Sequence, residues 1–138
     1  LKGGDMADRE ELNPDWPWAA DFRIAQGVRV GDTIYVSGQV AFDAQGELVG
    51  GGDMFAQAVQ TFKKIEAVLE EGGATMEDVV KILAFLTDID RYADYARARA
   101  AAFPNNIPAS ATVTTPVLVN PDLLVEVEAV AVIGCGTG

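Results

Sequence analysis

Alternating hydrophobic and polar positions predict strands at both ends of the chain. The segments RIAQGVRV and TIYVSGQV flank Gly31-Asp32, a pattern typical of a β-hairpin. Side chains alternate along a strand, so the second segment should present two sets on opposite faces: Ile34, Val36, Gly38 and Val40 on one, and Thr33, Tyr35, Ser37 and Gln39 on the other. Near the C-terminus, ATVTTPVLV and LLVEVEAVAVI predict two further strands.

Apolar residues at intervals of three and four predict two helices between these strands. The first helix should carry an apolar stripe of Phe55, Ala58, Phe62, Ile65 and Leu69. It should begin after the N-cap Asp53 and end at Gly72-Gly73. The second should run from its cap Asp90 to about Phe103. Between them, DVVKILAFLTD is apolar on both faces, as in an interior strand, so the predicted order is β-β-α-β-α-β-β.

The last predicted strand has one fully apolar face and one mixed face. The apolar face, which the two helices should cover, consists of Val125, Val127, Ala129, Ala131 and Ile133. The mixed face consists of Glu126, Glu128, Val130 and Val132. A half-apolar sheet face left open on a small domain commonly meets a partner subunit. We therefore expect an oligomer with sites at the subunit boundary.

A polar, acidic segment precedes this pattern. We expect residues 1–22 to form an N-terminal arm and residues 23–138 to form a single domain, as the length of 138 residues indicates. Met6 suggests that residues 1–5 are left over from an expression vector. Two interpretations of Trp16 and Trp18 are open: they anchor the arm on the domain, or they form the wall of a pocket or interface.

The composition excludes several classes of chemistry. The chain has no histidine and a single cysteine, Cys135. Catalytic triads with histidine, Cys-His pairs, H-E-x-x-H metal sites, cysteine-cluster zinc sites and Cys-x-x-Cys redox pairs are therefore impossible within it. Any reaction must use carboxylates, hydroxyls, cationic side chains, backbone amides or water.

The net charge and the hydropathy of the chain bear on the location and the partners of the protein. A formal net charge of −11 disfavours nucleic acid as a partner. No apolar run reaches the roughly 18 residues that a membrane helix needs, and the N-terminus lacks the apolar core of a signal peptide. We expect a soluble, cytoplasmic protein with neither a nucleic-acid nor a membrane partner.

Two segments carry a family resemblance. The run VGDTIYVSGQ, residues 30–39, resembles the signature hairpin of the Rid family (RidA/YjgF/YER057c/UK114, also called endoribonuclease L-PSP), and VEVEAVAV resembles its closing strand. The resemblance extends from Arg23 to Ile133. It implies an α+β, chorismate-mutase-like fold with a mixed sheet, two helices on one face, and a homotrimer with three clefts between subunits. Typical members hydrolyse small imines and enamines to 2-keto acids and ammonia, with no metal and no cofactor.

The same resemblance implies site residues. Ser37 and Gly38 fall on hairpin positions that line the cleft, and Glu128 falls on the glutamate that positions the hydrolytic water. If Glu128 is partly buried, its pKa should be raised. Tyr35 lies on the same predicted strand face as Ser37. Two interpretations are open: its side chain contacts a ligand, or it only packs against neighbouring side chains. Glu126 is expected to be an interface or salt-bridge residue.

One departure from the family pattern affects substrate choice. Members active on imino acids have P-A-R-S before the fourth main strand, where the arginine binds the substrate carboxylate; this chain has Pro108-Ala109-Ser110-Ala111-Thr112. Ser110 and Thr112 would then be neutral donors to a less acidic ligand, or would only continue the strand. Arg23 either supplies the missing positive charge or is a solvated arginine at the start of a strand.

Three functions follow from the sequence. The first is a cofactor-independent hydrolase, a deaminase of small imines, enamines or related C–N compounds. The second is a non-catalytic, metabolite-binding regulatory trimer. The third and weakest is a ribonuclease, because the acidic chain has no histidine for acid–base cleavage of RNA.

Overall fold

The computed structural model describes residues 8–137, which form one six-stranded sheet and two α-helices. The strands are β1 (Arg9–Leu12), β2 (Gly27–Val30), β3 (Thr33–Gln39), β4 (Val79–Leu86), β5 (Ala109–Thr114) and β6 (Val125–Val132). The helices are α1 (Met54–Glu71) and α2 (Tyr92–Ala102). The predicted α+β class and element order are confirmed, with β1 as an additional strand.

The sheet is mixed, in the spatial order β1-β2-β3-β6-β4-β5. Strands β4 and β5 are parallel, and every other neighbouring pair is antiparallel. Strand β4 lies between β6 and β5, as its two apolar faces predicted. The turn between β2 and β3 contains Gly31 at a φ of 59°, a conformation that glycine adopts without strain.

Strand β1 shows that the N-terminal segment belongs to the sheet and is not a separate arm. Residues Arg9–Leu12 pair antiparallel with β2, and Leu12 is buried in the core. The expected boundary after residue 22 therefore does not separate the domain from what precedes it. A single apolar residue in the sequence REEL gives too little periodicity to reveal a strand. Residues 1–5, interpreted as vector-derived, lie outside the described residues.

The helices cover one face of the sheet and create the core. Four of the residues predicted to face them are buried: Val125, Val127, Ala129 and Ala131. Helix α1 begins where predicted, with Asp53 Oδ1 accepting a hydrogen bond from the amide of Ala56, and it ends before Gly72. Helix α2 starts later than expected: Asp88, not Asp90, caps a 3-10 turn that leads into it.

A β-bulge interrupts the predicted alternation of β3. The pairing of β3 with β6 shifts register between Val36 and Gln39. Gln39 is consequently buried and Gly38 exposed, the reverse of the simple alternation. A Cβ atom on Gly38 would meet the carboxylate of Glu126, so the Glu126 side chain would have to move if this residue were larger.

The other face of the sheet remains open and carries apolar side chains. Tyr35 on β3 and Val113 on β5 are 53% and 44% exposed. Val113 lies beside Phe85, which is half-buried on the same face. Within residues 8–137, neither α-helix has the length and hydropathy needed to span a bilayer.

Candidate functional site

A cavity of about 620 Å³ lies where the N-terminal turn, the bulge of β3, helix α1 and strand β6 meet. Its walls are largely aromatic and aliphatic, with Trp18, Phe22, Ile24, Phe42 and Val119 among them. Its polar groups come from Ser37, Gln26, Gln39, Lys64, Glu126 and Glu128. An apolar pocket with a few converging polar groups is the usual form of a small-molecule site.

The bulge positions Ser37 at the cavity. Its hydroxyl donates a hydrogen bond of 2.6 Å to the carbonyl of Ala25, and its amide donates one of 2.9 Å to the carbonyl of Gln26. Because the hydroxyl hydrogen is already used, Ser37 Oγ can only accept a hydrogen bond from a ligand. This places Ser37 and Gly38 at the cavity and restricts the role expected for the serine.

Two buried glutamines form the floor beneath the bulge. Gln39 Nε2 donates to Gln26 Oε1 at 3.0 Å and to the carbonyl of Ser37 at 3.1 Å. In the part of the chain that the structure describes, Gln39 Oε1 is buried and has no hydrogen-bond partner. An unpaired buried acceptor is costly, so Gln39 Oε1 is suited to accept an N–H or O–H group from a ligand.

Two carboxylates from β6 face the same cavity. Glu126 is half-buried, and Glu128, two residues later, is exposed in the single chain. Burial raises the pKa of Glu126, and the nearby charge of Glu128 raises it further. The half-buried carboxyl of the pair is Glu126, whereas the sequence analysis considered partial burial at Glu128. The sequence analysis assigned Glu126 to an interface or a salt bridge, although its i, i+2 spacing from Glu128 already placed both on one face.

Lys64 of α1 is the cation of the cavity, and sequence reasoning missed it. Its side chain is 4% exposed, and Nζ lies 5.1 Å and 4.9 Å from the ring centroids of Trp16 and Trp18. Nζ donates a 3.1 Å hydrogen bond to the carbonyl of Val40. Burial lowers the pKa of Lys64 to about 8, and the charge of Asp43 opposes that shift.

A periodic signal for Lys64 was present in the sequence. The pair Lys63-Lys64 resembles a solvated helix face, but Gln57, Thr61 and Lys64 follow at intervals of four and three, and all three are buried. They form a polar stripe beside the apolar stripe of α1. Such a stripe is the pattern expected where a helix borders a polar cavity.

The tryptophans serve both functions that the sequence left open. Trp18 lines the cavity, and its Nε1 donates a 3.2 Å hydrogen bond to the carbonyl of Asp43, which anchors the N-terminal turn. Trp16 stacks on Trp18 with ring centroids 5.7 Å apart and packs against the core.

Arg23 and Tyr35 lie away from this cavity within the chain. Arg23 does not start a strand: it follows a 3-10 turn, Ala19–Phe22, at a φ of 52° and is exposed. It lines a different cavity with Arg9 and Glu11. Tyr35 belongs to the open sheet face. In the single chain, Arg23 therefore does not replace the missing arginine at the cavity of Ser37 and Glu128.

Ser110 and Thr112 line a second cavity of about 810 Å³ between β5 and α2. Arg99 lines it as well, and its guanidinium donates a 3.1 Å hydrogen bond to the hydroxyl of Tyr92. A cation from α2 thus lies in the cavity beside the arginine-free segment of β5. Sequence reasoning missed Arg99 because it searched for the positive charge only along β5 and at Arg23.

Comparisons with known proteins agree with this architecture. The sequence profile of the family described as Endoribonuclease L-PSP matches residues 18–133. A RutC family protein of Pyrococcus abyssi is 36% identical over 108 residues, which span 78% of this chain and 84% of that protein.

Solved structures extend the similarity to the fold. RidA from the Antarctic bacterium Psychrobacter superposes with a TM-score of 0.82 at 35% identity, covering 90% of this chain and 99% of that one. The YjgF protein of E. coli gives a TM-score of 0.82 at 30% identity, covering 89% and 98%. With the two-helix mixed sheet, the bulged hairpin and the glutamate-bearing closing strand in place, this chain belongs to the Endoribonuclease L-PSP family, the YjgF/RidA/UK114 proteins.

Proposed function

We propose that the protein is a cofactor-independent hydrolase that converts a small imine or enamine into a carbonyl compound and ammonia. One observation carries this proposal: the paired carboxylates of Glu126 and Glu128 face an apolar cavity, and Glu126 has a raised pKa. Carboxyl groups with different proton affinities can act as acid and base in one reaction.

The two glutamates supply the proton transfers that the reaction needs. Glu128 accepts a proton from water as the water oxygen bonds to the imine carbon and the C=N double bond becomes single. Glu126, which holds its proton more readily, donates it to the nitrogen. Glu128 then returns its proton to the amine nitrogen, the C–N bond breaks as the C=O double bond forms, and the hydroxyl proton passes to Glu126. The products are a carbonyl compound and ammonia, and both glutamates regain their starting protonation. Ser37 Oγ and Gln39 Oε1 accept hydrogen bonds from the substrate's N–H or O–H groups.

The proposal includes a homotrimer with clefts between its subunits, in which Ser110 and Thr112 remain candidates for ligand contact. The exposed apolar side chains of the open sheet face support self-association, since such patches commonly mark interfaces. Tyr35, on that face, would contact a neighbouring subunit or a ligand at the subunit boundary.

The decay of 2-iminobutanoate, generated in situ, tests the reaction. We expect the purified protein to accelerate the decay and to release ammonia in equal amount. Glu128→Gln should abolish most of the acceleration, whereas Glu70→Gln, the same change on an exposed turn of α1, should not alter it. Equal decay with and without the protein, or full activity of Glu128→Gln, would contradict the proposal.

Two further measurements distinguish the hydrolase from the alternative functions. Thermal stabilisation by a metabolite without turnover would identify a metabolite-binding trimer. The family description makes ribonuclease activity the other alternative. RNA that stays intact with clean preparations would exclude that activity, in keeping with the two carboxylates in the cavity and the net charge of −11.

A further inference from the structure

Lys64 contributes a primary amine to the wall of an apolar cavity. The residue is 4% exposed and lines the cavity at the bulge of β3, together with Trp18, Phe22 and Phe42. Because burial lowers its pKa to about 8, although the charge of Asp43 opposes that shift, about a quarter of the Lys64 side chains are neutral at pH 7.5. A free lysine side chain of pKa 10.5 is neutral in about 0.1% of cases at that pH. The neutral amine is the nucleophilic form, so Lys64 is suited to react with an electrophile.

The amine nitrogen Nζ is held in one place, and the cavity gives a small molecule a route to it. Nζ donates a hydrogen bond of 3.1 Å to the carbonyl of Val40, and the ring centroids of Trp16 and Trp18 lie 5.1 Å and 4.9 Å away. A neutral amine that donates this bond keeps its lone pair. Phe22 and Ile24, which line the same cavity, are 63% and 56% exposed, so the cavity opens to the surface. An uncharged molecule can therefore reach the amine from solvent.

We propose that Lys64 is a covalent binding site for small uncharged aldehydes, with which its amine forms a Schiff base. This inference goes beyond the proposed hydrolase, because the carbon of the ligand becomes bonded to the protein itself. It combines three features of one position: a buried amine, an apolar wall around it and an opening to the surface.

The reaction needs only the amine, the aldehyde and proton transfer. The nitrogen of Lys64 bonds to the aldehyde carbon and loses one proton, while the aldehyde oxygen gains one, which gives a carbinolamine. The nitrogen then loses its second proton, and the hydroxyl group takes up a proton and leaves as water while the C=N double bond forms. One amine and one aldehyde thus give one imine and one water. Glu126, whose pKa is raised by burial and by the charge of Glu128, lines the same cavity and is suited to carry these protons.

The acidic groups around Lys64 determine which aldehydes fit. Glu126 and Glu128 line the cavity, and Asp43 acts on the amine through its charge. Formation of the neutral imine removes the positive charge of Lys64, and the acidic groups then oppose a further negative charge in the cavity. The other walls are largely aromatic and aliphatic. The site should therefore take a short apolar aldehyde such as butanal and discriminate against the anionic aldehyde glyoxylate.

Reductive trapping with butanal and sodium cyanoborohydride tests this inference. The proposed hydrolysis would also act on the imine at Lys64, so the adduct is reversible and the reductant is needed to fix it as a butyl group. Peptide mass spectrometry then locates the modified lysines. At pH 7.5 we expect butanal to modify Lys64 at least about 10-fold faster than the exposed Lys63 and Lys81. Glyoxylate should modify Lys64 more slowly than butanal does.

Lys63→Met is the matched control, because it removes an amine from the exposed neighbouring position on α1. It should leave the rate at Lys64 unchanged, whereas Lys64→Met should abolish the fast phase of labelling. Labelling of Lys64 by butanal at the rate of Lys63 or below overturns the inference. So does faster labelling of Lys64 by glyoxylate than by butanal.

The imine-decay assay separates this inference from the proposed reaction. Fast trapping of butanal at Lys64 without accelerated decay of 2-iminobutanoate would refute the hydrolase and leave the covalent site intact. Accelerated decay, with Lys64 labelled no faster than Lys63, would refute the covalent site and leave the hydrolase intact.

Discussion

The buried ammonium of Lys64 lowers the stability of the ligand-free protein. Its pKa is about 8 in the folded chain and 10.5 for the free side chain, so between these pH values the unfolded chain binds more protons. Stability therefore rises as the pH increases from 8 to 10.5, and the penalty is complete below pH 8. We expect Lys64→Met to raise the free energy of unfolding at pH 7 by about 1–2 kcal/mol in guanidinium titrations.

The pH dependence distinguishes this effect from better packing alone. The gain from Lys64→Met should shrink between pH 8 and 10.5, where the folded lysine loses its proton. Asp43, Glu126 and Glu128 are the acidic groups near Lys64 or in its cavity. Lys63→Met should show no such trend. A Lys64→Met protein less stable than the wild type at pH 7 would contradict the prediction.

The raised pKa of Glu126 gives this side chain a testable part in the reaction. Burial and the charge of Glu128 favour the protonated form of Glu126. In Glu126→Gln the amide has the shape of a protonated carboxyl group but cannot donate its proton as an acid. We expect turnover of 2-iminobutanoate to fall at least about 10²-fold, the usual contribution of a general acid, with the fold retained. Turnover within twofold of the wild type would remove Glu126 from the mechanism.

The close approach of Gly38 to Glu126 means that a change in the bulge of β3 alters the position of the Glu126 carboxylate. In Gly38→Ala the new methyl group would displace the Glu126 carboxylate. Because the carboxylate ends a flexible side chain, we expect stability to change by less than about 1 kcal/mol and turnover to fall, measured by thermal unfolding and the imine-decay assay. Gly52→Ala is the control, because a Cβ there meets no atom within 4 Å. Unchanged turnover in Gly38→Ala would show that this contact is dispensable.

At the scale of elements, β1 contributes to the core through Leu12. Its side chain is 2% exposed, so Leu12→Ala should lower the free energy of unfolding by about 2–5 kcal/mol, as large-to-small changes in cores do. Denaturant titration measures this loss, and Glu10→Ala, an exposed change on the same strand, should be nearly neutral. A loss below about 1 kcal/mol for Leu12→Ala would mean that β1 is not needed for the core.

The sequence predicts an element correctly when the residues of that element and its caps carry the whole pattern. Helix α1 combines a continuous apolar stripe with the cap at Asp53, and both are visible in the sequence. The bulge of β3 is different: it depends on how β3 pairs with β6, and the simple alternation therefore assigned Gly38 and Gln39 to the wrong faces. The left-handed backbone of Arg23 likewise depends on the turn before it.

At the scale of the whole molecule, the open sheet face should determine assembly. Val113→Lys places a charge among the apolar side chains of that face, and we expect it to convert the proposed trimer to monomers in light scattering after size exclusion. Ala93→Lys, on the exposed surface of α2, should leave the mass unchanged. A wild type that is monomeric, or a Val113→Lys protein that remains trimeric, would contradict the proposed interface.

The sequence was sufficient to predict the fold class, but it predicted only some of the residues that line the cavity. Ser37, Gly38 and Glu128 share the cavity because hairpin and closing strand are neighbours in the sheet. Lys64 and Trp18 join them only through the packing of α1 and the N-terminal turn. The polar stripe of α1 marks Lys64 as a buried position, but no local pattern shows that Lys64 and Trp18 meet the hairpin and the closing strand.

Strand β1 protects the sheet edge that it forms against the addition of another strand. Strand β1 carries Arg9, Glu10 and Glu11 in four residues, whereas β2 behind it has Arg29 as its only charge. Charged residues on an edge strand discourage pairing with a second chain. Proteolytic loss of β1 would therefore uncover a more apolar edge, and the truncated protein would be prone to aggregate by strand addition.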